Sequence, residues 1–507
     1  MIRSYCIIIF LLIGNTLHAQ PGFNVKDHGA IGDGKTVDTD AINKTIDAAV
    51  SAGGGTVFFP AGTYLSFSIR LKSNVTLYLD NGATLLAANP TENKGSYDAA
   101  EPNSWDMYQD FGHSHWRNSL IWGDSLENIA IVGQGMIYGK GLSRGRSGEG
   151  VGNKSISLRK CRNVIIRDIS ILMGGHFAIL ATGIDNFTLD NLKIDTNRDG
   201  IDIDCCRNVR ISNCSVNSPY DDAICLKSSF ALGTAIPTEN VTITNCAVSG
   251  FDRGTFLNGS YKKDEANTVP DKGVITGRIK FGTESNGGFK NISISNCTFE
   301  FCRGIALETV DGGILEDVSI SNITMKEIMG APIFLRLGAR MRAPKDTPIG
   351  KLRRINISNV IVYGANPKYS SMIVGVPDHD IEDIKLSHIQ ILVKGGGTAD
   401  QALLQVPELE KSYPDPQEFG PLPAYGFFIR HVKGLEMDHV ELRFESDDAR
   451  APFVLEDVKD VNLQNIKASH LKDTPAFVLK KVKQFSIQQC EFVKDVSLDK
   501  IESKKIY

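Results

Sequence analysis

Several features are scarce in this chain, and each scarcity excludes something. Beyond the N-terminus no segment approaches the roughly 20 apolar residues that a membrane-spanning helix needs, so no span is expected. There is no excess of positive charge: 55 Lys and Arg against 59 Asp and Glu give a formal net charge of −4. A global basic field of the kind that holds nucleic acid is therefore absent, and an anionic ligand must be met by a local cluster. No Cys-x-x-Cys pair suggests zinc, and neither a metal nor an organic cofactor is expected. Helical periodicity is rare as well. The one convincing helix spans residues 40–51, with Ile42, Ile46, Ala49 and Val50 on one face and Gly53-Gly54-Gly55 ending it. The glycine triplet follows a helix and leads into Thr56-Val57-Phe58-Phe59, the reverse of a phosphate-cradling loop, so nucleotide binding is not expected.

At the N-terminus Arg3 precedes a short apolar run over residues 6–13 and then Asn15-Thr16-Leu17-His18-Ala19. This reads as a secretory signal peptide over 1–19, cleaved near Ala19 although Leu17 is large for its position, and leaves an exported protein. Cys6 lies within the removed segment, so nine of the ten cysteines remain and at least one thiol has no intrachain partner. Cys214, Cys246 and Cys297 each follow an asparagine at the same point of a repeat, which marks them as stacked, buried thiols.

That repeat organises the chain. An asparagine or aspartate, an alternating apolar stretch, a polar turn and a second short strand recur at residues 163–171, 186–194, 208–216, 240–248, 291–299, 316–325 and 354–362. Weaker copies follow at 382–392, 435–444, 461–468 and 485–492. Where no loop intervenes the period is about 22 residues, within the range of solenoids, and alternation as in Val241-Thr242-Ile243-Thr244 means strand. Each unit cannot close a core alone, so the copies must stack. Asn191, Asn213, Asn245, Asn296, Asn322 and Asn359 fall at one phase and predict an amide ladder along a tight corner. The expected fold is all-β: a single-stranded parallel β-helix over residues 20–507 as one domain, right-handed by the crossover rule, its first rung plugged by the N-terminal helix. A monomer is the default expectation. Three stretches break the repeat, at 90–118, 250–276 and 394–423, and are candidate walls of a substrate groove.

Two acidic strings lie one repeat apart: Asn197-Arg198-Asp199-Gly200-Ile201-Asp202 and Tyr220-Asp221-Asp222-Ala223-Ile224. Aspartates at rung corners often do no more than cap turns. Four of them on adjacent rungs concentrate like charge that costs stability unless it is used, and water-driven glycosidic cleavage uses paired carboxylates, one as proton donor and one as base.

These residues resemble glycoside hydrolase family 28, the polygalacturonase and rhamnogalacturonan hydrolase family of right-handed parallel β-helix enzymes. The family's N-T-D-G-x-D pattern matches Asn197 to Asp202 with Arg198 in place of threonine, and its D-D pair matches Asp221-Asp222. The opening Phe23 to Gly34 also fits, although lyases and tailspikes of this architecture share such openings. The resemblance runs from about Phe23 to Met325. It implies that Asp221 is the general acid, that Asp199 and Asp222 hold and activate water, and that the anomeric centre inverts. Asp202 is expected to support them, with Asn197 beside it.

Downstream the pattern loosens. The stretch corresponding to the family's G-H-G reads Gly277-Arg278-Ile279-Lys280-Phe281-Gly282-Thr283-Glu284 and lacks the histidine. Where polygalacturonases carry R-I-K to engage a substrate carboxylate, the rung reads Arg303-Gly304-Ile305-Ala306-Leu307-Glu308. Arg278-Ile279-Lys280 spells that motif one rung early; alternation places Arg278 and Lys280 on one face, in or out together. Glu284 and Glu308 fall near the groove, and Glu308 in place of lysine disfavours plain polygalacturonan in favour of a rhamnogalacturonan-type or neutral-sugar substrate. Further candidate contacts are Lys227, His176 and Trp116, the last as a platform for a sugar face. His113 and His115 read as surface-loop histidines. Two other readings remain: a polysaccharide lyase on the same fold, with Ca²⁺ on the acidic cluster and Arg278 or Lys280 as base, and a noncatalytic glycan-binding solenoid.

Overall fold

The structure, a computed structural model, describes residues 22–143, 152–263 and 275–507; the expected signal peptide lies outside them. It is a parallel β-helix, with short strands pairing in parallel from one rung to the next along nearly the whole chain. Six strands carry the central rungs: β1 (Phe177–Thr182), β2 (Asp199–Asp204), β3 (Ile224–Ser228), β4 (Ile279–Ser285), β5 (Ile305–Thr309) and β6 (Ile333–Leu337).

Their register explains the alternation in the sequence. Ala181, Ile203, Leu226, Phe281, Leu307 and Leu335 stack as one inward column and are buried. Burying each larger side chain contributes about 1.5–3 kcal/mol, which makes the column the spine of the core. On the opposite face of the same strands Leu180, Asp202, Cys225, Lys280, Ala306 and Phe334 form a second column. The candidates Asp202 and Lys280 are thus held on the rigid outer side of a packed wall.

The amide ladder is present at the expected corner. Asn245 donates to Asn213 at 3.4 Å, Asn322 to Asn296 at 3.1 Å and Asn359 to Asn322 at 3.2 Å. All six ladder asparagines have φ between 52° and 57°, left-handed backbone that asparagine tolerates better than other residues with a Cβ. The nine cysteines of the described residues are all free thiols, and Cys214, Cys246 and Cys297 are buried beside the ladder.

Both ends are closed. Helix α1 (Thr39–Ser51) buries Ile42, Thr45, Ile46 and Ala49 against the first rungs. Val50, expected on that face, is instead 40% exposed, because the 3.6-residue turn carries it past the contact and brings Thr45 in. At the other end β7 (Phe477–Gln488) pairs antiparallel with β8 (Val496–Ile506), a reversal that the repeat did not foretell. The turned-back strand covers the edge that the last rung would otherwise leave unpaired.

Candidate active site

The two acidic strings converge. Asp199 opens β2, Asp221 and Asp222 lie just before β3, and one carboxylate oxygen from each of the three falls within 4.8 Å of the others. All three are buried, with 3%, 7% and 2% of their surface exposed. The Asp222 backbone N–H donates to Asp199 Oδ1 at 3.2 Å, so the corner of one rung is tied to the carboxylate of the rung before it.

Four cations surround the trio. Arg198 Nε lies 3.3 Å from Asp221, Lys227 Nζ 3.8 Å from Asp199, Arg278 Nε 2.8 Å from Asp222 and Lys280 Nζ 3.3 Å from Asp222. Arg278 and Lys280 do turn to the same face, as alternation requires. The carboxylates they meet are the protein's own: Asp222, and Glu308 at 3.8 and 3.7 Å.

A bulge completes the arrangement. Between Leu226↔Phe281 and Ser228↔Ser285 the register shifts, so that Lys227 alone faces Gly282-Thr283-Glu284. Gly282 has φ of 92° and would press a Cβ to 3.0 Å from the Glu308 carbonyl, so the bulge requires glycine there. The extra residues bring Glu284 to 3.4 Å from Lys227 Nζ, which also lies 3.6 Å from Asp202.

These contacts divide the acids. Burial, with Asp221 and Asp202 nearby, pushes Asp199 well above the ordinary carboxylate range. Burial likewise raises Asp202 to about 7, only partly opposed by Lys227. Burial would raise Asp222 too, but Lys280 and Arg278 outweigh it and hold this carboxylate low. Glu284 is held well below its usual value against its burial, by Lys227 above all and by Arg342. The cluster therefore holds carboxyls pushed in opposite directions, Asp199 up and Asp222 down, so that protonated and ionised members stand side by side.

The remaining candidates divide. His176, 4% exposed, lies 2.7 Å from Arg198. Asn197 is half-buried, with a carbonyl oxygen that has no hydrogen-bond partner, and both Asp202 oxygens and both Glu308 oxygens share that condition. Glu308 is wholly buried and pushed up to about 7 by burial, against Lys280 and Arg278. Trp116 is not a sugar platform: it is 1% exposed, packed with Phe177, Leu180 and Ala231, covered by Arg159 at 4.8 Å and donating to Thr182 at 3.0 Å. Its loop folds back onto the rungs, which buries the ring. His113 and His115 are not surface residues either, at 2% and 4% exposed; His113 lies 3.6 Å from Glu284, and burial followed by Lys227 pushes it down to about 3, so it is neutral.

Several site residues had no mark in the sequence. Arg342 pairs with Glu284 and with Asp110. Tyr413 and Asp415 come from the loop at 394–423, where Tyr413 stands over Lys280 at 5.5 Å and Asp415 binds Arg303 at 2.6 Å. Arg198 did carry a signal, as the one departure inside the acidic motif.

Comparison with known proteins fits this geometry. The model of glycosyl hydrolases family 28 matches residues 99–407, well over half of the chain. The chain belongs to glycoside hydrolase family 28. A rhamnogalacturonase A/epimerase, pectate lyase-like model matches residues 22–131 ahead of it. A "Probable polygalacturonase" of Vitis vinifera is 25% identical over 395 residues, 73% of this chain and 74% of the relative. An "Exo-poly-alpha-D-galacturonosidase" of Dickeya chrysanthemi is 34% identical over 176 residues, 32% of this chain but only 27% of that protein. In fold, the family 28 exopolygalacturonase of Yersinia enterocolitica aligns over 88% of this chain and 79% of its own with a TM-score of 0.63 at 20% identity. The exopolygalacturonase of Thermotoga maritima aligns over 74% of this chain and 87% of its own, with a TM-score of 0.58 at 18% identity. The protein is a pectin-degrading glycoside hydrolase of the polygalacturonase family. Among the described residues no helix is long and apolar enough to cross a membrane.

Proposed function

We propose that this family 28 enzyme is exported and hydrolyses a pectic chain with inversion, at a site where an uncharged sugar unit adjoins Glu308. Asp222, kept ionised by Lys280 and Arg278, takes the proton of the attacking water. Asp199 holds that water from the other side, and Asp221 delivers the proton to the glycosidic oxygen, as the family resemblance implies. The nearest oxygens of the trio are closer than the roughly 6.5–9.5 Å between the carboxyl groups of a general inverting pair. We read the tight cluster as two carboxylates gripping one water together, with the third reaching the leaving oxygen.

The observation that carries the substrate reading is the occupation of Arg278 and Lys280 by Asp222 and Glu308. Cations already paired at this depth are poor receivers of a galacturonate carboxylate, which favours a rhamnogalacturonan-type chain over homogalacturonan. The test is the relative kcat/KM on rhamnogalacturonan and homogalacturonan oligosaccharides. A preference for the second overturns the substrate assignment.

The same pairing weighs against a lyase. A lysine that acts as base needs a lowered pKa, whereas Lys280, though burial would lower it, is raised well above its ordinary value by Asp222 and Glu308. The trio's oxygens are spaced for a cation, but four side-chain cations within 4 Å already neutralise them.

A further inference from the structure

An exposed aromatic cluster stands beside the active-site rung. Trp105 and Tyr108 of the loop at 90–118 lie nearly parallel, with centroids 6.4 Å and planes 22° apart, and Phe230 meets them edge-on at 5.4 and 5.2 Å. Trp105 keeps 40% of its surface exposed and Met107, two residues on, 73%, whereas Trp116 of the same loop is buried. The rings are fixed from below. Wholly buried Asp204 accepts from the Ser229 N–H at 2.7 Å and from its hydroxyl at 2.6 Å, which sets Phe230 at the start of a turn that its carbonyl closes with the Gly233 N–H at 2.9 Å. Gly233 has φ of 79°, and a Cβ there would meet Trp105 Nε1 at 2.4 Å, so the turn makes room for the indole. Asn103 ties the two segments together, accepting from the Trp105 N–H at 2.9 Å and donating to the Ala231 carbonyl at 2.9 Å.

The cluster is continuous with the acidic site. Phe230 follows Lys227 by three residues, which an extended chain spans in at most about 11 Å, and Lys227 Nζ lies 3.8 Å from Asp199. From the other direction Asp110, two residues after Tyr108, accepts from Arg342 at 2.9 Å, and Arg342 pairs in turn with Glu284. Two buried amides here are only half used. Gln109 donates from Nε2 to the Trp105 carbonyl at 2.5 Å. Asn286, whose backbone N–H donates to the Ser228 carbonyl at 2.7 Å, donates from Nδ2 to the Arg342 carbonyl at 2.8 Å. Each amide nitrogen faces a carbonyl, so the atom left over is the oxygen: Gln109 Oε1 and Asn286 Oδ1 have no hydrogen-bond partner among the described residues. Buried acceptors without donors are costly, and they point to a ligand that brings hydroxyls.

We propose that Trp105, Tyr108 and Phe230 form an accessory subsite for an uncharged sugar unit that is bound but not attacked, on the same chain whose scissile bond lies over the aspartate trio. Trp105 offers an apolar face to the C–H face of the sugar, and Gln109 and Asn286 supply acceptors for its hydroxyls. Charge sets the class of unit. Asp106 and Asp110 flank Tyr108 with side chains 41% and 51% exposed and repel a uronate, while Arg342 is already paired with Asp110 and Glu284. A rhamnogalacturonan-type chain supplies an uncharged unit and homogalacturonan does not. This inference rests on the hydrolase reading above and adds to it a second place where an uncharged unit is recognised.

The test uses the whole protein, with rhamnogalacturonan tetra- and octasaccharides and a homogalacturonan octasaccharide as probes. Trp105→Ala is expected to raise KM on the rhamnogalacturonan octasaccharide by roughly 3- to 10-fold, the scale of one aromatic contact, with little change in kcat, and so to lower the octasaccharide-to-tetrasaccharide ratio of kcat/KM. An equal loss on both lengths, or no loss on either, overturns the proposal. Binding is read separately, from the indole emission of an Asp222→Asn protein. The rhamnogalacturonan octasaccharide should shift that emission, Trp105→Phe in the same background should abolish the shift, and the homogalacturonan octasaccharide should leave the emission unmoved. A shift that survives Trp105→Phe, or an equal shift with homogalacturonan, contradicts the subsite. If the unsubstituted enzyme cleaves neither chain, the hydrolase reading falls and the emission titration alone decides the subsite. If Trp105→Ala does not fold, Trp105→Phe, which keeps a ring in the packing, carries the test through the emission.

Discussion

Arg278 donates from Nε to Asp222 Oδ1 at 2.8 Å, tying the residue just before β4 to the acidic corner just before β3, one rung away. One contact thereby does two things. It helps hold Asp222 low, and on the mechanism proposed above it occupies a cation that would otherwise receive a uronate.

The first prediction concerns pH. Asp222 would be raised by burial but is held low by Lys280 and Arg278. A base held low stays active until the pH falls through its depressed pKa, so removing one of its cations raises that pKa and brings the loss on earlier. Lys280→Met should therefore move the acidic limb of kcat/KM to higher pH, with less displacement of the basic limb. A pH–rate profile of the two proteins checks it; an unmoved acidic limb means that Asp222 is not the base.

Leaving-group dependence separates acid from base. Asp221→Asn should lower hydrolysis of a natural oligosaccharide by at least about 100-fold, the scale of general acid catalysis, and should lose much less on an aryl glycoside whose phenolate needs no proton. Asp222→Asn should be impaired on both. If Asp199→Asn shows the aryl rescue instead, the proton donor is Asp199, the member that burial keeps proton-rich.

Glu308 sets the third. With neither oxygen hydrogen-bonded but Arg278 and Lys280 at 3.8 and 3.7 Å, it offsets positive charge that a galacturonate would otherwise use. Glu308→Gln should raise kcat/KM on homogalacturonan relative to rhamnogalacturonan by roughly tenfold, the scale of one charge-assisted hydrogen bond. Unchanged relative rates would remove Glu308 from specificity.

Asp202 gives a stability test. Its folded pKa is raised to about 7, first by burial. A raised carboxyl contributes stability that is fully present below the unfolded value and is lost as pH rises through the folded one. The Tm of Asp202→Asn minus that of the unsubstituted protein should therefore increase from pH 5 to pH 8. A constant difference would show that Lys227 keeps Asp202 ionised throughout.

Much of this was legible because a solenoid writes its fold locally. The asparagine phase, the inward alternation of Ile201 and Ile203, and the two acidic strings one rung apart all lie within about two periods of each other. What could not be read depends on distant chain. Nothing near Asp110 points to Arg342, since their pairing is made only when two loops meet over intervening rungs. Trp116 was expected to meet substrate and is instead buried packing: sequence reveals a large aromatic in a loop but not that the loop folds inward over Phe177. Arg278 and Lys280 were legible as a facing pair; their partners Asp222 and Glu308 come from the rungs on either side, and the later register shift that turns Lys227 and Glu284 toward each other had no signal in the sequence. The antiparallel β8 broke the repeat without any periodic signal of its own.

The most direct test of the central claim is the anomeric configuration of the first product, followed by proton NMR during hydrolysis of a rhamnogalacturonan oligosaccharide before mutarotation sets in. Water deprotonated by Asp222 and held by Asp199 requires the inverted anomer at the earliest times, with no unsaturated uronate signals. A retained anomer would mean that one of the three aspartates attacks the sugar as a nucleophile, and unsaturated product would mean elimination; either contradicts the account.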